Sequence, residues 1–218
     1  MKQVIAIDGP SGAGKTTIAK VVAKELGFHY LDTGALYRAA ALALRKEGIE
    51  PEQSDDRLRI VLKTKNITFN NGKVFLNGKD VSEDVRSTEI DHYSSVFSAR
   101  KIVRDFLLAA QRNAALTNDL VVEGRDTTTV VFPNAKKKIY LDASLEERAK
   151  RRYLQFRQKG TDISINESRR DIIERDTRDS SRDIAPLKIA HDALLLDSSN
   201  LSIEQVIKKI LDFIRIYP

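Results

Sequence analysis

Short apolar runs alternate along this chain with longer stretches in which apolar residues recur every three to four positions. The runs at 4–7, 29–31, 120–122, 138–141 and 194–196 have the length of buried β-strands. After the first run, Ile18, Val21, Val22 and Leu26 share one helical face, and Gly27 ends that helix. The alternation predicts an α/β fold, a five-stranded, mainly parallel sheet flanked by helices, with ligands bound beyond the C-terminal ends of the strands.

Two further helices and one insert follow from local patterns. The sequences SLEE at 144–147 and SIEQ at 202–205 have capping-box spacing, so a helix is expected to begin at each. Residues 66–81, NITFNNGKVFLNGKDV, interrupt the alternation with two Asn-Gly pairs, Asn71-Gly72 and Asn77-Gly78. These pairs predict a small antiparallel hairpin with room for a third strand, carried by the α/β core as an insert.

Residues 9–16, GPSGAGKT, match the phosphate-loop pattern G-x-x-x-x-G-K-[ST] and stand between the first strand and the first helix. In such a loop, backbone N–H groups converge at a helix N-terminus, where the positive potential favours phosphate. Lys15 is expected to reach the terminal phosphates of a nucleotide, and the Thr16 hydroxyl a magnesium ion. The predicted ATP-binding residues are Gly9, Pro10, Ser11, Gly12, Ala13, Gly14, Lys15, Thr16 and Thr17.

Composition narrows the possible partners. The chain has 218 residues, 41% of them hydrophobic and 31% charged, which is typical of one folded domain. No apolar run is long enough for a bilayer, no secretory signal is visible, and there is no cysteine, so we expect a cytoplasmic protein without a membrane partner. The net charge of +6 fits either nucleic acid or small phosphorylated ligands. We favour the second and expect no nucleic-acid partner, because known RNA- or DNA-binding signatures are missing and only 6% of residues are aromatic.

Charged residues follow two of the predicted strands. Asp32 and Arg38 come after the second strand, and Glu123, Arg125 and Asp126 after the next one. Parallel strands end at the same edge of the sheet, so these groups should face the phosphate loop. An arginine there can clamp a phosphate through two hydrogen bonds, and a carboxylate can hold a base amino group or assist the metal. Asp32 and Glu123 are the candidates for the outer shell of magnesium.

Arginines also cluster at helical spacing. Three lie at i, i+3, i+4 and three at i, i+3, i+7, so each set is predicted to share a helix face: Arg148, Arg151 and Arg152, and Arg175, Arg178 and Arg182. Phosphoryl transfer needs positive charge around the transferred group, whereas ordinary surface ion pairs are the alternative. The segment between the sets, about 153–166, is expected to act as a lid.

Seven runs together resemble the bacterial cytidylate kinase family, nucleoside monophosphate kinases of the phosphate-loop class. They are IDGPSGAGKTT, LDTGALYR, VRDFLLAAQR, VVEGRDTTTVVFP, KIYLDASLEERAKRR, ERDTRDSSRDIAPL and DALLLDSSNLSIEQVI. The resemblance implies one kinase domain with a P-loop NTPase core (about 1–38, 115–152 and 167–218). It also implies a monophosphate-binding insert (about 39–114, including the hairpin 66–81) and a helical lid (about 153–166).

The resemblance further implies transfer of the ATP γ-phosphoryl group to CMP or dCMP, with Mg²⁺, by a monomer. Thr33 and Arg38 would hold the acceptor's phosphate and sugar, and Asp179 its ribose. Ser95, Arg104 and Asp126 would contact the cytosine edge. The groups expected to act on the phosphates are Lys15, Arg125, Arg148, Arg151, Arg152, Arg175, Arg178 and Arg182.

Two positions depart from the family pattern. Thr128 stands where the family usually has glycine, and threonine resists positive φ, which puts the local backbone in question. Lys101 stands where proline is common and affects only the start of a helix. Three alternatives remain open: a phosphate-loop kinase for UMP, AMP, shikimate or dephospho-coenzyme A, a basic RNA- or DNA-binding protein, and a non-catalytic relative.

Overall fold

The computed structural model describes residues 2–70, 72–158 and 160–216. Its strands are β1 (Val4–Asp8), β2 (His29–Asp32), β3 (Ile67–Asn70), β4 (Lys73–Leu76), β5 (Lys79–Asp80), β6 (Leu120–Gly124), β7 (Lys137–Asp142) and β8 (Leu194–Asp197). Its helices are α1 (Lys15–Leu26), α2 (Thr33–Lys46), α3 (Asp55–Lys63), α4 (Thr88–Phe97), α5 (Lys101–Thr117), α6 (Leu145–Gln158), α7 (Ile165–Ser181) and α8 (Ile203–Ile216).

Five strands form the predicted parallel sheet, in the order β2-β6-β1-β7-β8. β1, which leads into the phosphate loop, is central and pairs with β6 along its whole length, so that Asp8 lies opposite Gly124. Helices cover both faces: α1 and α8 pack around Ile139 and Ile210, and α2 and α5 pack around Leu36 and Leu107. The predicted α/β fold is confirmed, and β1 and β6 deliver their C-terminal residues side by side.

Capping explains where several helices begin. At α8 the predicted capping box is complete, because the Ser202 hydroxyl accepts from Gln205 N and the Gln205 side chain accepts from Ser202 N. At α6 only half of the predicted box forms: Ser144 accepts from Glu147 N (3.2 Å), but its own N–H donates to Ser199 Oγ (2.7 Å).

α7 begins with a complete capping box that the sequence analysis did not identify, in which Ser164 and Glu167 cap each other. α6 stays helical to Gln158, and the described residues 160–164 carry no regular element before α7. The segment expected as a lid (about 153–166) is therefore helical at both of its ends, in α6 and in α7. These two helices pack against each other.

The insert is a three-stranded antiparallel sheet, β3-β4-β5, as the Asn-Gly pairs predict. Asn77 and Gly78 both have positive φ (51° and 80°), the geometry of the tight hairpin turn between β4 and β5. Asn71, of the other predicted turn, lies outside the described residues. The inner face of the insert packs Val74 into the cluster formed by α2 and α5. Within the described ranges no helix combines the length and apolarity needed to cross a bilayer.

Candidate active site

A cavity of about 570 Å³ opens at the C-terminal edge of the parallel sheet. The phosphate loop (residues 11–17) forms one wall, the residues at the ends of β2 and β6 form the floor, and helices α4 to α8 with the segments next to them contribute the rest. The predicted strand-end and helix residues therefore meet in one space. Gly9, Pro10, Arg148 and Arg178 are the predicted site residues that do not line it.

The phosphate loop depends on its glycines at two points. A Cβ on Gly9 would lie 1.9 Å from the carbonyl oxygen of Leu141 on β7, which excludes any larger residue. Gly14 precedes α1 in the left-handed region (φ 94°), and no side chain in the described part of the chain caps that helix. The first N–H groups of α1 thus face the cavity without a capping oxygen, which suits an anionic ligand.

Lys15 is buried at the base of the loop, with 5% of its surface exposed, and its Nζ donates to the carbonyl oxygen of Pro10 (2.6 Å). Burial, and next the positive charge of Arg125, lower the pKa of Lys15 to about 7. A buried ammonium group near another cation is stabilised by an anion. The electrostatics of this wall therefore favour phosphate.

Arg148 hydrogen-bonds to the backbone of the phosphate loop on the side away from the cavity. Its guanidinium donates to the carbonyl oxygen of Ser11 (3.0 Å) and pairs with Asp176, whose other oxygen accepts from Ser11 N (2.9 Å). Arg151 does line the cavity and donates to the carbonyl oxygens of Ala13 and Ser198 (3.1 and 3.0 Å). The predicted direct contact of Arg148 with a ligand is therefore not supported: helical spacing placed the arginines on one side of α6, but their side chains reach different targets.

The three arginines at 175, 178 and 182 also differ in where their side chains lie. Arg175 and Arg182 line the cavity, whereas Arg178 donates to the carbonyl oxygen of Glu174 on its own helix (3.4 Å) and lies outside it. Arg182 donates to the carbonyl oxygen of Ala185 (2.6 Å). The expected role of Arg178 beside the transferred group does not match this position.

The opposite end of the cavity carries a buried ion pair. Arg104 pairs with Asp126, each side chain being 7% exposed, and Arg104 also donates to the carbonyl oxygen of Ser98 (2.9 Å). Ser95 Oγ and Arg182 Nη2 are buried nearby and have no hydrogen-bond partner within the described residues. Buried polar atoms are nearly always partnered, so this end of the cavity is suited to a ligand with a polar edge.

Between the two ends lie the remaining predicted groups. Arg125 Nε donates to Asp179 (2.8 Å). Burial opposes the charge of Asp179, but Arg125, Arg175 and Arg182 together hold its pKa below the ordinary value. Asp179 is thus an ionised acceptor between three arginines.

The floor behind β2 contains Thr33, Arg38 and Asp32. Thr33 donates to the carbonyl oxygen of Glu123 (2.8 Å), and Arg38 pairs with Asp32 (2.9 Å), which also caps α2 by accepting from Ala35 N. The cationic end of Arg38 therefore stays in the cavity, held by its neighbour's carboxylate.

Comparison with known proteins identifies the family of this chain. The family model described as cytidylate kinase matches residues 5–216. The chain belongs to the cytidylate kinase family. It is 51% identical over 215 residues to the cytidylate kinase of Thermodesulfovibrio yellowstonii, which covers 97% of each chain. It is 49% identical over 211 residues to that of Thermosipho melanesiensis, with 97% of this chain and 96% of the other covered.

The predicted class, an ATP-dependent nucleoside monophosphate kinase, is confirmed by this membership of the cytidylate kinase family. Among solved structures the chain is similar to a shikimate kinase from Acinetobacter baumannii, with 17% identity and a TM-score of 0.47 over 99% of this chain and 94% of that one. A likeness that distant does not bear on the substrate.

The polar side chains beside the phosphate loop fit a magnesium ion that is bound together with a nucleotide. In the described ranges no three His, Cys, Asp or Glu side chains are grouped to hold a metal. The Thr16 side chain lies beside Glu123, which accepts from the Tyr30 hydroxyl (2.8 Å). Burial, and next the charge of Asp32, raise the pKa of Glu123. One hydroxyl and two nearby carboxylates match Mg²⁺, which takes few protein ligands and fills its shell with phosphate oxygens and water.

Asp8, which the sequence analysis did not single out, joins the two halves of this site. Its carboxylate is fully buried and accepts from the N–H and the hydroxyl of both Thr127 and Thr128. These threonines follow Asp126 in a π-helical turn (Thr127–Val131). The phosphate-loop strand is thereby tied to the turn that presents Arg125 and Asp126.

Thr128 and Lys101, the two departures from the family pattern, both fit the local structure without strain. Among described residues other than glycine, positive φ occurs at Asn77 and Ala185, so Thr128 is not strained. The position does not need the freedom of glycine, and threonine contributes a hydroxyl that glycine lacks. Lys101 begins α5 and pairs with Asp105 on the surface (2.6 Å).

Proposed function

We propose that the chain transfers the γ-phosphoryl group of ATP to the phosphate of CMP or dCMP, giving ADP and CDP or dCDP. The observation that carries this proposal is one continuous cavity with a phosphate loop at one end and the buried Arg104–Asp126 pair at the other. Membership of the cytidylate kinase family supports the same reaction.

The donor would bind with its phosphates against the loop. Lys15 and the first N–H groups of α1 face that position, and Arg151, Arg152 and Arg175 line the same cavity. Arg148 would act indirectly, by fixing Ser11. Mg²⁺, held by Thr16 with Asp32 or Glu123 through water, would neutralise charge on the phosphate oxygens.

The acceptor would occupy the other end. Arg38 and Arg125 are placed to bind its phosphate, and Asp179 its ribose. Asp126 can accept from the exocyclic amino group of cytosine, while Ser95 Oγ and Arg182 Nη2 need partners that the base and sugar edges can supply. A base without that amino group would leave Asp126 partly unpaired, at a cost of about 1–3 kcal/mol, which favours cytosine over uracil.

The chemistry would need no general base. An oxygen of the acceptor phosphate, already anionic, forms a bond to the γ-phosphorus as the bond from that phosphorus to the β–γ bridging oxygen breaks. Catalysis then consists of holding two anionic nucleotides end to end and neutralising their charge. The concentration of arginines with Lys15 around one cavity supports this mechanism.

The same proposal includes a monomeric, cytoplasmic protein that does not bind nucleic acid, built as core, insert and lid. The proposed core–insert boundaries at 38/39 and 114/115 fall inside α2 and α5, so two continuous helices connect these parts. Movement of the insert would then be limited to what those helices allow.

A panel of acceptors tests the proposal. With saturating Mg-ATP, ADP release is measured with CMP, dCMP, UMP, AMP and shikimate, and we expect CMP and dCMP to be used best. Preference for AMP or shikimate would overturn the assignment. Tight binding of RNA or DNA that weakens steeply with salt would instead support the nucleic-acid alternative.

A further inference from the structure

One carboxylate in the cavity holds two arginines at once. Asp91 Oδ2 accepts from Arg152 Nη2 (2.8 Å) and from Arg175 Nη1 (2.7 Å). All three side chains are at most 20% exposed. Burial opposes the charge of Asp91, but Arg175, Arg152 and Arg38 hold its pKa well below the ordinary value. Asp91 is therefore a charged acceptor within the site.

The three residues come from different parts of the chain. Asp91 is on α4, Arg152 on α6 and Arg175 on α7, and Asp91 lines the cavity beside the phosphate loop. Arg175 lines the same cavity as Lys15 and the rest of the phosphate loop. A carboxylate oxygen that accepts from two guanidinium groups offers them the same bonds as a phosphate oxygen. While paired with Asp91, the arginines cannot give those bonds to a nucleotide.

Asp91 is also linked to the acceptor end of the cavity. Ser95, with its unpartnered buried hydroxyl, follows it by one helical turn on α4, so both side chains project from the same helix face. We propose that Asp91 is a positioning residue that withholds Arg152 and Arg175 from the donor phosphates until an acceptor binds beside Ser95. This inference rests on the proposed function, because it assumes that both nucleotides share this cavity.

The consequence is protection of ATP from water. Without an acceptor, the available nucleophile is water, whose oxygen would bond to the γ-phosphorus as the bond to the bridging oxygen breaks, giving ADP, inorganic phosphate and a proton. Arginines already free to stabilise the transferred group would accelerate this hydrolysis. Asp91 keeps them paired in the state where hydrolysis would be wasteful.

The substitution Asp91→Asn tests the proposal by removing the charge while keeping the size. ADP release is measured with and without CMP, and we expect hydrolysis without CMP to rise about tenfold relative to transfer, the effect of one charge-assisted hydrogen bond. Asp105→Asn is the control for the same chemical change, since Asp105 pairs with Lys101 (2.6 Å) on the surface outside the cavity and should leave that ratio unchanged. A purely structural role predicts that both rates of the Asp91 variant fall together, and that result would overturn the proposal, as would an equal effect of Asp105→Asn.

A measurement on the unsubstituted chain keeps the proposal testable if the variant does not fold. Calorimetric titration with tripolyphosphate, as a simple polyanion, should show tighter binding when CMP is present than when it is absent. Equal affinity in the two titrations would refute the role of Asp91. If the unsubstituted chain transfers no phosphate to CMP at all, the proposed function fails instead, and the two failures are thus distinguished.

Discussion

Replacing Thr128 by valine should destabilise the fold, because it removes one of the four hydrogen bonds to a buried charge. The N–H and hydroxyl of Thr128 donate to Asp8 Oδ2 at 2.7 and 2.6 Å, and those of Thr127 donate to Oδ1 at 3.0 and 2.7 Å. Asp8 has no exposed surface, so water cannot replace a lost donor. Valine keeps the shape of threonine and loses only the hydroxyl.

The size of the effect follows from the type of bond. A hydrogen bond to a charged group contributes about 1.5–3 kcal/mol to the free energy of unfolding. For a chain of this length, each kcal/mol corresponds to roughly 2–4 °C, so Tm should fall by about 3–12 °C. Urea denaturation and thermal melting at neutral pH measure both quantities.

The difference should also shrink in acid. Burial raises the pKa of Asp8, against the hydrogen bonds from both threonines, and loss of one bond raises it further. As the pH falls through the pKa of the folded variant, Asp8 becomes protonated, and the missing donor then costs less.

The neighbouring residue provides the control. The Thr129 hydroxyl is buried and has no hydrogen-bond partner within the described residues, so Thr129→Val should change stability by less than about 0.5 kcal/mol or increase it. If both valine variants lose the same stability, or if Thr128→Val loses less than about 0.5 kcal/mol, the hydrogen bonds to Asp8 do not contribute as argued.

Three further predictions concern the proposed reaction. Lys15→Ala should lower kcat by about 10²–10³ while circular dichroism stays unchanged, and an unaffected rate would exclude its role. Asp126→Ala should lower kcat/KM for CMP by about 10–100-fold with little change in the KM for ATP, whereas equal losses would remove Asp126 from the base pocket. Because phosphates should raise the lowered pKa of Lys15 from about 7, tripolyphosphate binding at pH 8 should take up protons. Calorimetry in two buffers of different ionisation enthalpy detects the uptake, and Lys15→Met should abolish it.

The features that could be predicted from the sequence are those that depend on residues next to one another in the chain. The phosphate loop, the Asn77-Gly78 turn and the cap at Ser202 each need only a few consecutive side chains. The parallel strands follow from short apolar runs, because only a buried strand suits such a run between two helices. The convergence of Arg38 and Arg125 on one cavity follows from strand direction alone.

The contacts that the sequence did not predict depend on residues far apart in the chain. Arg148 shares a helix face with Arg151, but its target is set by Asp176 on another helix. Asp91 is separated by 61 and 84 positions from the arginines that it binds, and no local spacing links them. The sequence shows Thr128 as a departure from the family pattern. It does not show the hydrogen bond from the Thr128 hydroxyl to Asp8, because that bond depends on how close β1 lies to the turn after β6.

The direct pairing of β1 with β6 has a consequence for engineering. The phosphate loop follows β1, and Arg125 and Asp126 follow β6. These two segments therefore begin one strand spacing apart, about 4.8 Å, and the hydrogen bonds of the sheet fix that separation. Exchanging the chain between α2 and β6, which carries Ser95 and Arg104, for that of another kinase would alter part of the acceptor site without altering that separation. Retargeting by such a graft should therefore cost affinity for the new acceptor before it costs the alignment of the two phosphates.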